Sequence, residues 1–532
     1  MRIATILAAA ALAMAALLGG TSDRASAGSG SLMTYLVVFN QDYAVDGDYA
    51  VESTYAVLCT YAVGVDYAVT GQYAVGCNHA VAGTDAVYAV AHEYAVSLVE
   101  AAGGTVVSDL LEQIGVMIVQ SPNQAFAATM RSYAVVEEAA EDWSWQGLPD
   151  SGQVAAGPPP SGGGGPEPSS DPLESQQWSM QQIETEAAHA IQAGWRAVDV
   201  GILDSGIDGR HLDFDDDGVA GGTTNVDCAR GRNSVGVLPP GVAVGTADPC
   251  TDNQFHGTHV AGIVAAQANG FGTVGVAPNV TLVPVKVCDA TGYCYVSAVV
   301  DGITYAGDQK FDVINMSFFV DDNSFQQSTE FKCMSDPVQR AFRKSVERAI
   351  QYARSQGVLP VAALGNSDND LAHPPEPYEN DCETVPAETQ GVIGTMALGA
   401  GKEKASYSNY GTGATDVAAP GGTSTGDPQT GVLSTLPGNT HGAISGTSMA
   451  SPHAAGVAAL IVSQFGTLGS AADVVMQPTT VESYLQSTTI DQGLPGYDKC
   501  FGHGRINALR AVTRATSRVY DATAPACPEY DE

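Results

Sequence analysis

Residues 147–171 carry the run Pro158-Pro159-Pro160-Ser161-Gly162-Gly163-Gly164-Gly165 and almost no apolar side chains. A stretch of that composition cannot bury surface and reads as an exposed, protease-accessible linker. It therefore argues that the elements before it form a domain apart from the main fold, with the linker placed at 143–175. The 532 residues leave ample length for both. Beyond the linker, apolar runs of strand length alternate with helical ones, which predicts α/β architecture with a mostly parallel sheet flanked by helices. The clearest buried strand is Ala197-Val198-Asp199-Val200-Gly201-Ile202-Leu203. This second unit is placed at 176–515, with a carboxyl-terminal tail at 516–532.

Ahead of the linker the pattern predicts a strand at 35–39, a helix at 91–102 ended by Gly103-Gly104, and strands at 105–110 and 115–120. A helix at 123–132 opening on Asn123 and a strand at 134–136 follow. The order β-α-β-β-α-β describes a small ferredoxin-like α+β domain. An array interrupts it at about 43–96. Tyr-Ala-Val begins at Tyr43, Tyr49, Tyr55, Tyr61, Tyr67 and Tyr73, with degenerate copies at His79 and Asp85, a phase shift at Tyr88 and a further copy at Tyr94. A period of six puts no single stripe on a helix, whereas in a strand it keeps Tyr and Val on one face. A β-type stack is conceivable; the expectation is an expanded repeat filling a loop, with Cys59 and Cys77 inside it to pair with each other.

The first residues bear on compartment. Met1-Arg2 is followed by an almost wholly apolar run at 3–18 and by Ala25-Ser26-Ala27, the pattern of a secretory signal peptide at 1–27. No later run is long and apolar enough to span a bilayer. A formal net charge of −36 argues against nucleic-acid backbones and anionic membranes as partners. Export suits the ten cysteines, which an oxidising compartment can pair. Eight follow the linker: Cys228, Cys250, Cys288, Cys294, Cys333, Cys382, Cys500 and Cys527. Their spacing lacks a zinc pattern, and pairing of each with its neighbour is the expectation among 105 connectivities.

Four short sequences carry chemistry. The strand at 197–203 runs into Asp204-Ser205-Gly206, an acid at the carboxyl end of a parallel strand, where such sheets place their sites. His256-Gly257-Thr258-His259-Val260-Ala261-Gly262 opens a helix with a small-residue face. The apolar run Val361-Ala362-Ala363-Leu364-Gly365 ends at Asn366, whose carboxamide N–H can bind an oxyanion. Gly446-Thr447-Ser448-Met449-Ala450-Ser451-Pro452-His453 sets a serine at the start of an apolar helix, beside unpaired backbone N–H groups. Singly, each also fits an ordinary turn, cap or packing residue.

Together, and in this order, they resemble the subtilisin-like serine proteases over 176–514; subtilisin is the standard illustration of acid, then histidine, then serine. The resemblance implies a serine endopeptidase with Ser448 as nucleophile, His256 as general base, Asp204 as its orienting acid and Asn366 in the oxyanion hole. His259 and His453 would be packing groups. Asn315-Met316-Ser317 matches the family's substrate-pairing strand, but Phe318 and Phe319 stand where relatives usually carry Leu-Gly, so the subsites lined by Ser317, Phe318, Phe319, Ala363, Leu364 and Gly365 should be narrowed, unless Phe319 simply turns into the core. Asp213, in an acidic run at 213–217, and Asn269 align with the family's calcium ligands, so structural calcium is one expectation and a solvated acidic loop the other. No cofactor is expected for the chemistry. Residues 28–142 resemble the family's propeptide, apart from the repeats, and imply a secreted, self-processing zymogen that is its own intramolecular inhibitor and chaperone. The expected partners are protein or peptide substrates, and the expected state is a monomer. A non-catalytic or adhesive relative, with the repeat array as working part, is the alternative.

Overall fold

The computed structural model describes residues 32–40, 85–148, 171–218, 221–237, 247–319, 336–372, 382–423, 425–469 and 474–527. The expected signal peptide, most of the Tyr-Ala-Val array with Cys59 and Cys77, most of the linker, and Cys333 lie outside them.

The amino-terminal domain comprises β1 (Met33–Phe39), α1 (Asp85–Ala101), β2 (Thr105–Leu110), β3 (Val116–Ser121), α2 (Phe126–Met130) and β4 (Val136–Glu141). Its antiparallel sheet has the order β2-β3-β1-β4, with Leu36 opposite Ile118 and Ala140, which is the ferredoxin-like arrangement expected. Several boundaries differ. The last copies of the array lie in α1 instead of a loop, with Tyr94 exposed and Ala95, Leu98 and Val99 buried. β4 runs on past Val136, because Glu138 meets Arg340 and Glu137 is shared by Lys344 and Arg348 of the following domain. Asn123 serves an Asx turn to Ala125 N–H and is not the helix cap.

The sheet is buried on both faces. Tyr35, Val37, Val119, Phe126 and Met130 make the domain's own core. Leu36, Val38, Ile114, Ile118 and Ala140 join the core of the larger domain, beneath Phe342 and Val346. The segment after β4 is a further correction to the linker. Ser144–Gln146 form β5, paired antiparallel with Tyr293–Tyr295 of the larger domain. The linker therefore cannot begin at 143.

The larger domain contributes β6 (Asp199–Asp204), β7 (Arg232–Asn233), α3 (His256–Ala265), β8 (Thr281–Lys286), β9 (Tyr293–Tyr295), α4 (Val296–Asp308) and β10 (Val313–Met316). These are followed by α5 (Pro337–Ser355), β11 (Leu359–Ala363), β12 (Ile393–Leu398), β13 (Val417–Pro420), β14 (Val432–Leu436), β15 (Thr440–Ile444) and α6 (Thr447–Phe465). Seven strands form one sheet in the order β13-β12-β11-β10-β6-β8-β7, every pairing parallel. Its central strands are buried throughout, as parallel sheets covered on both faces require. α6 is apolar or small on all sides and buried from Thr447 to Ser463, the signature of a helix threading a core. Cys228–Cys250, Cys288–Cys294 and Cys500–Cys527 are bridged as expected, and Cys382 is also disulfide-bonded. Among the described residues no helix is long and apolar enough to cross a membrane.

Candidate active site

The carboxyl ends of β6, β10 and β11 and the amino ends of α3 and α6 converge. Asp204 is the last residue of β6 and fully buried, and its two carboxylate oxygens each lie 3.0 Å from His256 Nδ1. Ser205 fixes this pair from behind. Its hydroxyl donates to Asp252 and accepts from the Gly257 N–H, while Asp252 also accepts from Gln254, Phe255 and Thr258 backbone N–H groups and the Thr258 hydroxyl. The start of α3 is thereby bolted to the end of β6. Gly257 is required there, because a Cβ would overlap the carbonyl oxygen of Gly206. His256 Nε2 is buried with no hydrogen-bond partner among the described residues.

Ser448 opens α6 and is 7% exposed. Its hydroxyl donates to the Ser317 carbonyl at 3.0 Å, and the Ser317 hydroxyl donates to the Ser448 carbonyl at 2.8 Å. Asn315 and Ser451 extend this tie between β10 and α6. In this arrangement Ser448 is therefore hydrogen-bonded to Ser317 and not to His256.

Asn366 follows β11. Its Oδ1 accepts from both the Thr447 N–H, at 2.8 Å, and the Thr447 hydroxyl, at 2.9 Å, which fixes the amide orientation and leaves Nδ2–H as the outward donor. A Cβ at Gly446 would lie 3.5 Å from that Nδ2 and 3.6 Å from the Ser448 nitrogen, so the two N–H donors flank one small space. Asn409, 2% exposed, clamps the loop. Its Oδ1 accepts from Ser367 and Asn369 N–H, and its Nδ2 donates to the Leu364 carbonyl. Gly365 has φ +103°, and a Cβ there would press on Asn409. Ala363 and Leu364 are buried. Nothing in the sequence singled out Asp252 or Asn409.

His259 and His453 are buried packing groups. Burial pulls their imidazoles down to about 3 and about 4, and each binds backbone carbonyls. Phe318 is turned into the core at 1% exposure and Phe319 is half-buried.

Asp213 and Asn269 share one loop system. Asp213 Oδ2 accepts from the Thr273 N–H and hydroxyl and lies 2.7 Å from His441 Nε2, while its buried Oδ1 has no hydrogen-bond partner among the described residues. Asn269 ties the two loops together: Nδ2 donates to the Leu212 and Asp215 carbonyls and Oδ1 accepts from the Phe271 N–H. Asp171 Oδ1 accepts three successive N–H groups, from Asn269, Gly270 and Phe271, and burial pushes its carboxyl up to about 6. Calcium takes six to eight oxygens, and among the described residues no three or more His, Cys, Asp or Glu are grouped to hold a metal. The side chains present brace the loop by hydrogen bonds.

Comparisons with known proteins agree with this geometry. The model of the Subtilase family matches residues 196–504. Subtilisin DY of Bacillus licheniformis is 35% identical over 315 residues, 59% of this chain and 90% of that protein. A subtilisin of Bacillus pumilus is 33% identical over 63% of this chain and 98% of its own. The solved epidermin leader peptide processing serine protease of Staphylococcus aureus superposes with a TM-score of 0.61 at 17% identity, covering 92% of this chain and all of that one. That last likeness speaks to the fold.

Proposed function

The chain belongs to the subtilase family and is a subtilisin-like serine endopeptidase; from that premise we propose that Ser448, His256 and Asp204 are its triad and Asn366 its oxyanion donor. The observation carrying this assignment is the buried Asp204–His256 pair, which leaves Nε2 without a hydrogen-bond partner among the described residues. Asp204 accepts the Nδ1–H and so keeps the lone pair on Nε2. On binding substrate, the Ser448 hydroxyl turns from the Ser317 carbonyl to Nε2, and its oxygen bonds to the peptide carbonyl carbon as the proton passes to His256. The carbonyl oxygen becomes an oxyanion held by Asn366 Nδ2–H and Ser448 N–H. Collapse breaks the C–N bond, and His256 returns the proton to the departing amine. Water then cleaves the acyl-enzyme by the same proton path. No cofactor takes part.

The amino-terminal domain is an intramolecular inhibitor and folding template, and the protein is a secreted, self-processing zymogen. Supporting this, its sheet buries Leu36, Val38 and Ile118 against α4 and α5, and Asp142 accepts from the Ser297 N–H in the first turn of α4. Secretion rests on the apolar run at 3–18 and the disulfides. Ser448→Ala should accumulate as an uncleaved proform and resist labelling by an active-serine phosphonate, whereas the wild type matures and is labelled. Normal maturation of the Ala variant would defeat self-processing.

A further inference from the structure

Resting on that reading, we infer that the cleft selects extended peptides with glycine followed by an aliphatic residue on the amino side of the cut bond. Residues 144–148 of this chain lie in the groove between β9 and the Phe318–Phe319 segment. Ser144, Trp145 and Gln146 pair with Tyr295, Cys294 and Tyr293, and the Leu148 N–H donates to the Gly292 carbonyl at 3.2 Å. Main-chain pairing of this kind is how an extended peptide adds to a sheet edge.

The edge is built to be stiff. Cys288–Cys294 closes its hairpin, and Asp289 accepts from the Thr291 and Tyr293 N–H groups and the Tyr295 hydroxyl. At Gly147 the groove has no room for a side chain. A Cβ would lie 2.7 Å from the Phe319 carbonyl oxygen and 3.4 Å from both Cys294 Sγ and Phe318 Cβ. Two of these neighbours are backbone or a bridged sulfur, and Phe318 is locked in the core, so none can swing aside. The next residue, Leu148, is 3% exposed and belongs to the same buried apolar cluster as Cys288, Cys294 and Phe318. It also lies over Gly292, whose own Cβ would come 3.4 Å from Leu148 Cβ and 3.6 Å from Gln254 Nε2. Gln254 Oε1 in turn accepts the His256 N–H, so a single side chain separates the seat of Leu148 from the backbone of the proposed general base. The subsite for glycine is made by this chain's own Cys294, Phe318 and Phe319.

The test uses the processed product of the full-length chain. Hydrolysis of an unfolded protein such as casein, abolished by Ser448→Ala, reads the protease assignment alone. A peptide series varying the two positions then reads the inference. Gly-Leu should be preferred, with Ala for Gly lowering kcat/KM by about tenfold or more, since one misfit methyl is worth roughly that in a closed site. In the full chain, Gly147→Ala should slow maturation likewise, and the first new amino terminus should lie beyond Leu148. Casein cleavage with equal turnover of Gly and Ala peptides would overturn the subsite inference and leave the protease reading standing; loss of all Ser448-dependent hydrolysis would overturn that reading itself.

Discussion

Replacing Asn409 by alanine tests whether the oxyanion donor is positioned by a residue that never meets substrate. The side chain is 2% exposed and makes three hydrogen bonds, at 3.0, 3.0 and 2.9 Å, to Ser367, Asn369 and Leu364. At about 1 kcal/mol net for each bond, their loss removes about 3 kcal/mol of local stabilisation. That energy holds the turn on which Asn366 stands. Asn366 keeps its two bonds from Thr447, so it should loosen without leaving. Full removal of an oxyanion donor costs about 10²–10³ in kcat, and partial mispositioning should cost about tenfold, or about 1.4 kcal/mol of barrier. Because the oxyanion exists only in the transition state, kcat and kcat/KM should fall together with KM unchanged. Steady-state kinetics on one peptide for Asn409→Ala, Asn366→Ala and the double variant completes a cycle. The double variant should be no slower than Asn366→Ala alone. If Asn409→Ala lowers kcat by the same factor in both backgrounds, it acts independently of Asn366 and the reasoning fails.

Docking of the amino-terminal domain should depend on pH through Asp142. Burial pushes its carboxyl up to about 7, with Glu141 adding repulsion, against about 3.9 when free. An acid raised in the docked state favours docking fully below its free pKa and loses that advantage as pH rises through about 7. Release of the cleaved domain should therefore quicken between about pH 4 and 7 and level off above, and Asp142→Asn should flatten that profile in stopped-flow fluorescence; an unchanged profile would contradict it. Glu137→Gln removes the partner of Lys344 and Arg348 and should weaken docking by about threefold, less in high salt, because partly exposed pairs are screened; calorimetric titration at two salt concentrations reads this. Since Asn269 is hydrogen-bonded to Leu212 and Phe271 and His441 faces Asp213, chelation with EGTA should leave the melting temperature unchanged, and a fall of several degrees would show that an ion holds this loop.

Asp204 could be proposed from the sequence because an acid ending a continuous apolar strand has one natural place in a parallel sheet, and His256, Asn366 and Ser448 because each stands where a buried element begins or ends. Asp252 and Asn409 could not. Each sits in a polar turn, where Asp and Asn are expected for local reasons, and their work appears only when Ser205 or Leu364 is brought alongside from a distant part of the chain. Contacts between domains misled the boundaries for the same reason. Glu137 and Glu138 read as the end of a strand because their cations lie some 200 residues on, in α5, and residues 144–146 read as linker because their partner strand is β9. Phe318 and Phe319 show the limit most clearly. Two adjacent aromatics at a cleft predict narrowing, but the sequence does not say how. Phe318 turns inward, and the constriction comes from the Phe319 carbonyl facing the bridged sulfur of Cys294. Under the proposed subsite, specificity is set in part by backbone position, which residue identity alone does not encode.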